Sequence, residues 1–328
     1  MAGVGYLTSA TLIDTVKREA MVPSSQSTLT NADFLAFANQ EMRIGIVPSL
    51  MQYHQEYYVR DSAPIPITAN VTKYPIPTRA VGGKFREIYY LDSNNNLRAM
   101  TRISPDDRAY YQQTSFQNRF LYFFLQGNDV VMVPDVGPSP TGSLVFSFWI
   151  RPNELVDVSR VATIQSFTTT PTTTTYTLDM IPAGFTSGVL YDFMQTAPGH
   201  KTISYDITPI SIDTVNKQMT FTTTATQTLA IGANVGASPV VGDYISFAGE
   251  CIIPQAPADL HDVLAQRVSM RCLQALGDQA GYGIAQAKLT EMEKNIAILT
   301  DNRSEGSPVK ANNMRSLLRT SKLQRRWS

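Results

Sequence analysis

The sequence predicts an α+β protein: N- and C-terminal helices forming a four-helix bundle, an inserted antiparallel β domain that is sandwich-like, and an extended C-terminal tail. Three observations lead there. Apolar residues recur at helical spacing only toward the two ends, in 1–60 and 255–302. The stretch between them is broken by Pro and Gly and rich in β-branched and aromatic runs. The last residues, 303–328, are basic. A single amphipathic helix cannot bury its stripe alone, so the simplest packing closes the end helices on one another and projects the β part from them.

Thr8 or Ser9 caps a first helix whose Leu12, Ile13, Val16 and Ala20 follow the 3.6-residue period, and Pro23 ends it. A second helix starts at Thr30 with Asp33 in its first turn, where a carboxylate meets the positive end of the helix dipole. Pro48 removes a backbone donor, which predicts a kink or restart near Val47 and continuation to about Tyr58. From Asp61 the pattern changes. Pro64, Pro66, Pro75 and Pro77 forbid a helix, and strands are predicted at 85–91, 97–102, 120–126, 129–133 and 144–150, with turns at 92–96 and at Gly127-Asn128. These place a β domain at 61–154.

Residues 155–250 differ in composition. The span 161–250 holds 20 threonines but only two cations, Lys201 and Lys217. Thr favours strands, and 210–213 with 219–223 around Val215-Asn216-Lys217 read as a hairpin; the Thr run 168–175 is either a strand edge or a loop. This Thr-rich β insertion is flanked by Arg151-Pro152 and by 250–254, which are expected to lie close in space. Helices return at Pro257, placed as an N1 proline, with Leu260, Leu264, Val268, Cys272 and Leu276 on one stripe. Gly277, Gly281 and Gly283 mark a break before a last helix at about 284–299, with Ala285, Leu289, Met292, Ile296 and Leu299 inward.

The chain has 328 residues and 43% hydrophobic content, enough for a large core, yet only 16% charged residues against a typical ~25%. Formal charge is zero but unevenly spread. Six of the 27 cations fall in 306–328, which has no acid, so residues 1–305 carry 21 cations against 27 anions. In this arm Arg315, Arg319, Lys322 and Arg326 would share a helical face. Leu317, Leu318, Leu323 and Trp327, with Arg325 beside them, give it something to bury, which points to docking on an acidic partner.

Chemistry is sparse. Three histidines, His54, His200 and His261, sit at helix or turn positions that read as structural or solvated. Cys251 and Cys272 lie in apolar surroundings without zinc-type spacing and read as buried free thiols of a reducing cytoplasm. Gly82-Gly83 reads as a turn, the glycines at 277–283 lack a phosphate-binding lysine, and Asp106-Asp107 after Pro105 read as turn caps. No catalytic residue, cofactor or metal is expected, and no apolar run approaches the ~20 residues of a membrane span. The aromatics from Tyr53 to Phe124 read equally as core or as a subunit interface.

The stretches "TLIDTVKREAMVP" (11–23), "TNADFLAFANQEM" (30–42) and "CIIPQAPADLHDVLAQRVSMRCLQALGDQA" (251–280), with "YPIPTRAVGGKFREIYYLDSN" (74–94) and "WIRPNELV" (149–156), resemble tailed-bacteriophage head-to-tail adaptor (connector) proteins and the tail tubular proteins of short-tailed phages. The Thr-rich insertion has no counterpart in that resemblance. The resemblance implies a structural virion protein at the head-tail junction, made in the host bacterial cytoplasm. It implies a homo-oligomeric ring of twelve copies under the portal protein, with downstream tail, nozzle or stopper proteins as further partners. DNA would pass through the lumen during ejection without sequence-specific binding, and the arm of Arg315, Leu317, Leu318, Arg319, Lys322, Leu323, Arg325, Arg326 and Trp327 would reach the portal. The alternative expectation is a receptor- or carbohydrate-binding β protein of the tail, using the Thr- and aromatic-rich strands.

Overall fold

Thr8 opens the first helix as its chemistry suggests, its hydroxyl accepting the Thr11 amide at 3.2 Å, and α1 (Ser9–Glu19) buries Leu12, Ile13 and Val16 on one face. The structure, a computed structural model, describes residues 6–23, 28–54, 56–112, 122–133, 135, 141–196, 202–223 and 238–299, with backbone alone at 296–299. α2 (Asn31–Glu41) starts on a capping box: the Thr30 hydroxyl accepts the Asp33 amide at 3.3 Å and the Asp33 carboxylate accepts the Thr30 amide at 2.7 Å. Hydrogen bonds from the hydroxyl and amide of Thr30 hold the Asp33 carboxyl below the usual carboxylate range.

Ahead of Pro48 the helix widens into a π turn, Met42–Ile46, where the Val47 amide reaches back to the Met42 carbonyl; it restarts as α3 (Val47–Tyr53). α3 stops short of the expected Tyr58 because His54 leaves helical geometry (φ −126°, ψ 76°). Tyr58 instead buries and donates its hydroxyl to the Gln255 carbonyl at 2.9 Å.

At the other end Pro257 heads a 3-10 turn, Ala258–Leu260, closed by the Leu260 amide on the Pro257 carbonyl at 2.9 Å. It is therefore not the N1 residue of the helix proper. A short helix, α4 (Arg108–Tyr111), lies within the β part, and the C-terminal pair is α5 (His261–Leu276) and α6 (Gln279–Leu299). Gly277 (φ 76°) caps α5 in the left-handed region. Gly281 and Gly283 do not extend that break. Asp278 accepts the Gly281 amide at 2.9 Å, supplies an N-cap, and lets α6 begin at Gln279 instead of Ile284. α5 is the hub on which α1, α2 and α6 pack, around a core of Leu12, Val16, Phe34, Leu50, Leu264 and Val268. A closed four-helix bundle is not shown; among its described residues α6 fully buries Ala285 alone, with Leu289 and Met292 half-buried against the core.

Nine strands build the first β unit: β1 (Val59–Asp61), β2 (Ile65–Pro66), β3 (Lys73–Pro75), β4 (Ala80–Leu91), β5 (Leu97–Ala99), β6 (Thr101–Arg102), β7 (Tyr122–Gln126), β8 (Asp129–Val133) and β9 (Ser143–Ile150). One sheet runs β1-β9-β4-β5 with β2 also on β9; the other runs β3-β8-β7-β6. Both face a common core that includes Tyr74, Ile88, Met132, Leu144, Phe146 and Phe148. The expected hairpins form, β4–β5 around Asp92, whose carboxylate accepts the Asn94 and Asn96 amides, and β7–β8 around Gly127 (φ 64°). Two expectations change. Residues 97–102 divide between the sheets, and β6 lies parallel to β7. Gly82-Gly83 sit inside β4: Ala80 faces Ile150 and Phe85 faces Phe148, five steps on one strand against two on the other, and both glycines take positive φ to absorb the excess.

β10 (Glu154–Leu155) and β18 (Glu250–Cys251) pair in parallel at the neck of the Thr-rich region. Between them lie β11 (Ala162–Thr169), β12 (Thr173–Leu178), β13 (Tyr191–Met194), β14 (Thr202–Ile207), β15 (Ser211–Asp213), β16 (Gln218–Thr222) and β17 (Tyr244–Phe247), in the order β14-β13-β17-β11-β12-β16-β15. The Thr run is not a sheet edge, and only its residues 170–172 are loop. It forms the β11–β12 hairpin, and β12 is interior, with Thr174, Tyr176 and Leu178 buried in alternation. Threonine hydroxyls bridge its strands, Thr175 to Thr220 at 3.0 Å. Tyr176, Tyr191, Phe193 and Phe221 form a separate aromatic core.

Candidate functional site

The helical layer and the two β units meet at one buried polar knot. Arg79, just before β4, donates to the Asp192 carboxylate of β13 at 2.8 Å and to the Asn153 side-chain carbonyl at 2.7 Å. Asp192 is fully buried and accepts four hydrogen bonds: Oδ2 from Arg79, Asn153 Nδ2 (2.7 Å) and the Gly249 amide (2.9 Å), Oδ1 from the Asp206 amide (2.9 Å). The Gln255 side chain accepts the Asn153 amide at 2.7 Å and donates to Thr202 Oγ1 at 2.8 Å. Asp206, 3.5 Å from Arg79, has its carboxyl pushed up by burial, with Asp192 adding to the rise and Arg79 opposing it. Every named carboxylate and amide of the knot is matched by another protein group, so the arrangement fixes orientation.

A second network staples the helices. The buried Glu41 carboxylate of α2 accepts from Arg271 Nε (2.7 Å) and Arg267 Nη1 (3.3 Å) of α5, and Arg267 also reaches Glu293 of α6 (2.5 Å). Lys288 of α6 reaches Glu19 of α1 at 3.1 Å. A Cβ at Gly45 of the π turn would overlap the Arg267 guanidinium, so a larger residue there would push Arg267 away from Glu41. His261 is buried at the start of α5; its Nδ1 accepts the Leu7 amide at 3.0 Å while Nε2 faces the Pro254 and Ala256 carbonyls at 3.1 and 3.2 Å.

An open groove of about 510 Å³ lies between β4 of one sheet and β6 and β7 of the other. Lys84, Arg86 and Arg102 rim it, and Phe85, Phe123 and Trp149 line it.

Arg315, Leu317, Leu318, Arg319, Lys322, Leu323, Arg325, Arg326 and Trp327, the candidate docking arm, all lie outside the described residues, as does His200. His54 is buried, and Cys251 and Cys272 are buried and unpaired, the Cys272 thiol pushed up to about 12 by burial. Of the aromatics, Tyr58, Phe123 and Phe124 are core, Phe85, Tyr90 and Tyr122 half-buried, Tyr53 and Tyr110 exposed. Asp106 and Asp107 form a 3-10 turn capped by Ser104. Among the described residues no group of three His, Cys, Asp or Glu side chains is placed to hold a metal ion, and no helix is long and apolar enough to cross a membrane. The knot escaped the sequence because its members are far apart in the chain; Arg79 and Asp192 are separated by 113 positions.

No family model and no curated protein matches the chain.

Proposed function

We propose that this chain is a structural virion protein, the adaptor subunit of a head-to-tail connector ring that joins the portal to the tail and forms part of the DNA channel. The supporting observation is architectural: helices from both ends of the sequence pack on α5, and the described strands lie in one excursion between them, tied to the helices through Arg79, Asp192 and Gln255. A ring subunit needs such a frame, since neighbours must hold one orientation to close a symmetric assembly. In this proposal the helices of 1–60 and 255–302 form a four-helix bundle, 61–154 and 155–250 are separate β units, and 303–328 is the arm. The arm's six cations speed docking on an acidic portal surface and its Leu and Trp residues hold it there.

Co-sedimentation with portal particles tests the arm directly. Removing residues after Glu305 is expected to abolish co-sedimentation while leaving thermal unfolding nearly unchanged. Portal binding of undiminished affinity by the truncated chain would remove the arm from the proposal.

A further inference from the structure

The groove beside β4 is rimmed by cations that are left over. Arg43, Arg79, Arg98, Arg108, Arg160, Arg267, Arg271 and Lys288 each face a carboxylate within 4.0 Å; Lys84, Arg86 and Arg102 are among the described cations that do not, and these three share one concavity. All three side chains are exposed. The one acid lining the groove, Glu87, is engaged by the Tyr89 hydroxyl. The floor between the cations is apolar, and the volume suits a few side chains of a bound segment.

We propose that this groove binds an extended polypeptide segment of a partner protein that carries carboxylates alternating with apolar residues. Charge complementarity selects the acidic partner: three unpaired cations gather at one concavity of a body, residues 1–305, that carries 21 cations against 27 anions. Alternation follows from the site, because a strand presents successive side chains to opposite faces, one row to the apolar floor and the other to the rim. β6, which carries Arg102, is the outermost described strand of its sheet and offers the edge along which an extended segment aligns. A nucleic-acid strand fits less well. The Phe85 ring already packs on Phe123 and Phe146, with centroids 5.8 and 6.0 Å away, and a nucleotide chain has no aliphatic side chains to set against Ile88, Met100 and Leu125 of the floor. The proposal goes beyond the connector role and does not depend on it.

The chain has two tryptophans, and Trp149 lines the groove. In a full-length Trp327→Phe background its emission therefore reports occupancy. The probe is a peptide of about ten residues alternating Asp or Glu with Leu or Val, run beside the same peptide with Lys for each acid and beside an oligothymidylate of about ten nucleotides. The acidic peptide is expected to give a saturable, salt-sensitive change in Trp149 emission that the Lys peptide does not give. Lys84→Gln, Arg86→Gln and Arg102→Gln together are expected to weaken it by roughly tenfold, as the loss of three exposed charge pairs implies. Arg102→Gln alone should weaken it by a smaller factor and serves if the triple variant does not fold. No saturable response to the acidic peptide, equal affinity in the variants, or tighter binding of the oligothymidylate would overturn the proposal.

Discussion

Asp192 shows how much one residue holds. Its carboxylate is fully buried and accepts from Arg79, Asn153, Gly249 and Asp206, groups from four separate segments. Removing one partner of a buried ion pair leaves the other charge uncompensated, so Asp192→Ala is expected to cost about 3 kcal/mol or more in urea unfolding. Asp192→Asn keeps an acceptor for part of the network and should cost less. A loss within about 0.5 kcal/mol, typical of unconstrained surface changes, would mean that the knot does not hold the units together. Nothing near Asp192 in the sequence hints at this role. What could be read was one level coarser: Arg151-Pro152 and 250–254 were expected to be neighbours, and β10 does pair with β18 there.

Elements were most legible where their signals are local. The Thr8 and Thr30 caps, the restart at Val47, the break at Gly277 and the hairpins at 92–96 and 127–128 all rest on residues within a few positions of the backbone they shape. Boundaries set by tertiary partners were not legible. α3 ends where Tyr58 is drawn to Gln255, and the Gly82-Gly83 excursion depends on the register of β4 against β9. His261, at the start of α5, belongs to the same class. Burial holds it below its ordinary value of 6.5, with the Ala256 and Pro254 carbonyls and nearby acids opposing. The neutral ring is thus the folded form, with Nδ1 free to accept the Leu7 amide. The unfolded chain takes up the proton first, so this contribution is complete above pH 6.5 and is lost as pH falls below it. The unfolding midpoint in urea is expected to drop between about pH 7 and pH 5 in the native chain, and to drop less in a His261→Gln variant. Equal pH slopes for the two proteins would refute the assignment.

At the scale of the molecule, the helical layer, the paired sheets and the Thr-rich sheet each have their own core, and they share one polar junction. The mixed α+β class followed from periodicity and composition. The division into three large cores and two small ones is a tertiary outcome, and Met194 and Leu155 of the Thr-rich side are buried in the helical core. In the proposed connector, the polar junction would fix the units against one another, and the low charge content, 16%, would suit flanks buried against neighbouring copies. Without a coiled-coil seam, the free chain is expected to be monomeric or weakly associated, and to close only on a template. Negative-stain electron microscopy of the purified chain, alone and mixed with portal particles, distinguishes these states. Separate monomers in the first sample and a ring of fixed rotational symmetry seated on the portal in the second are the predicted images. Bare portals beside free monomers at micromolar concentrations of both would contradict the connector role.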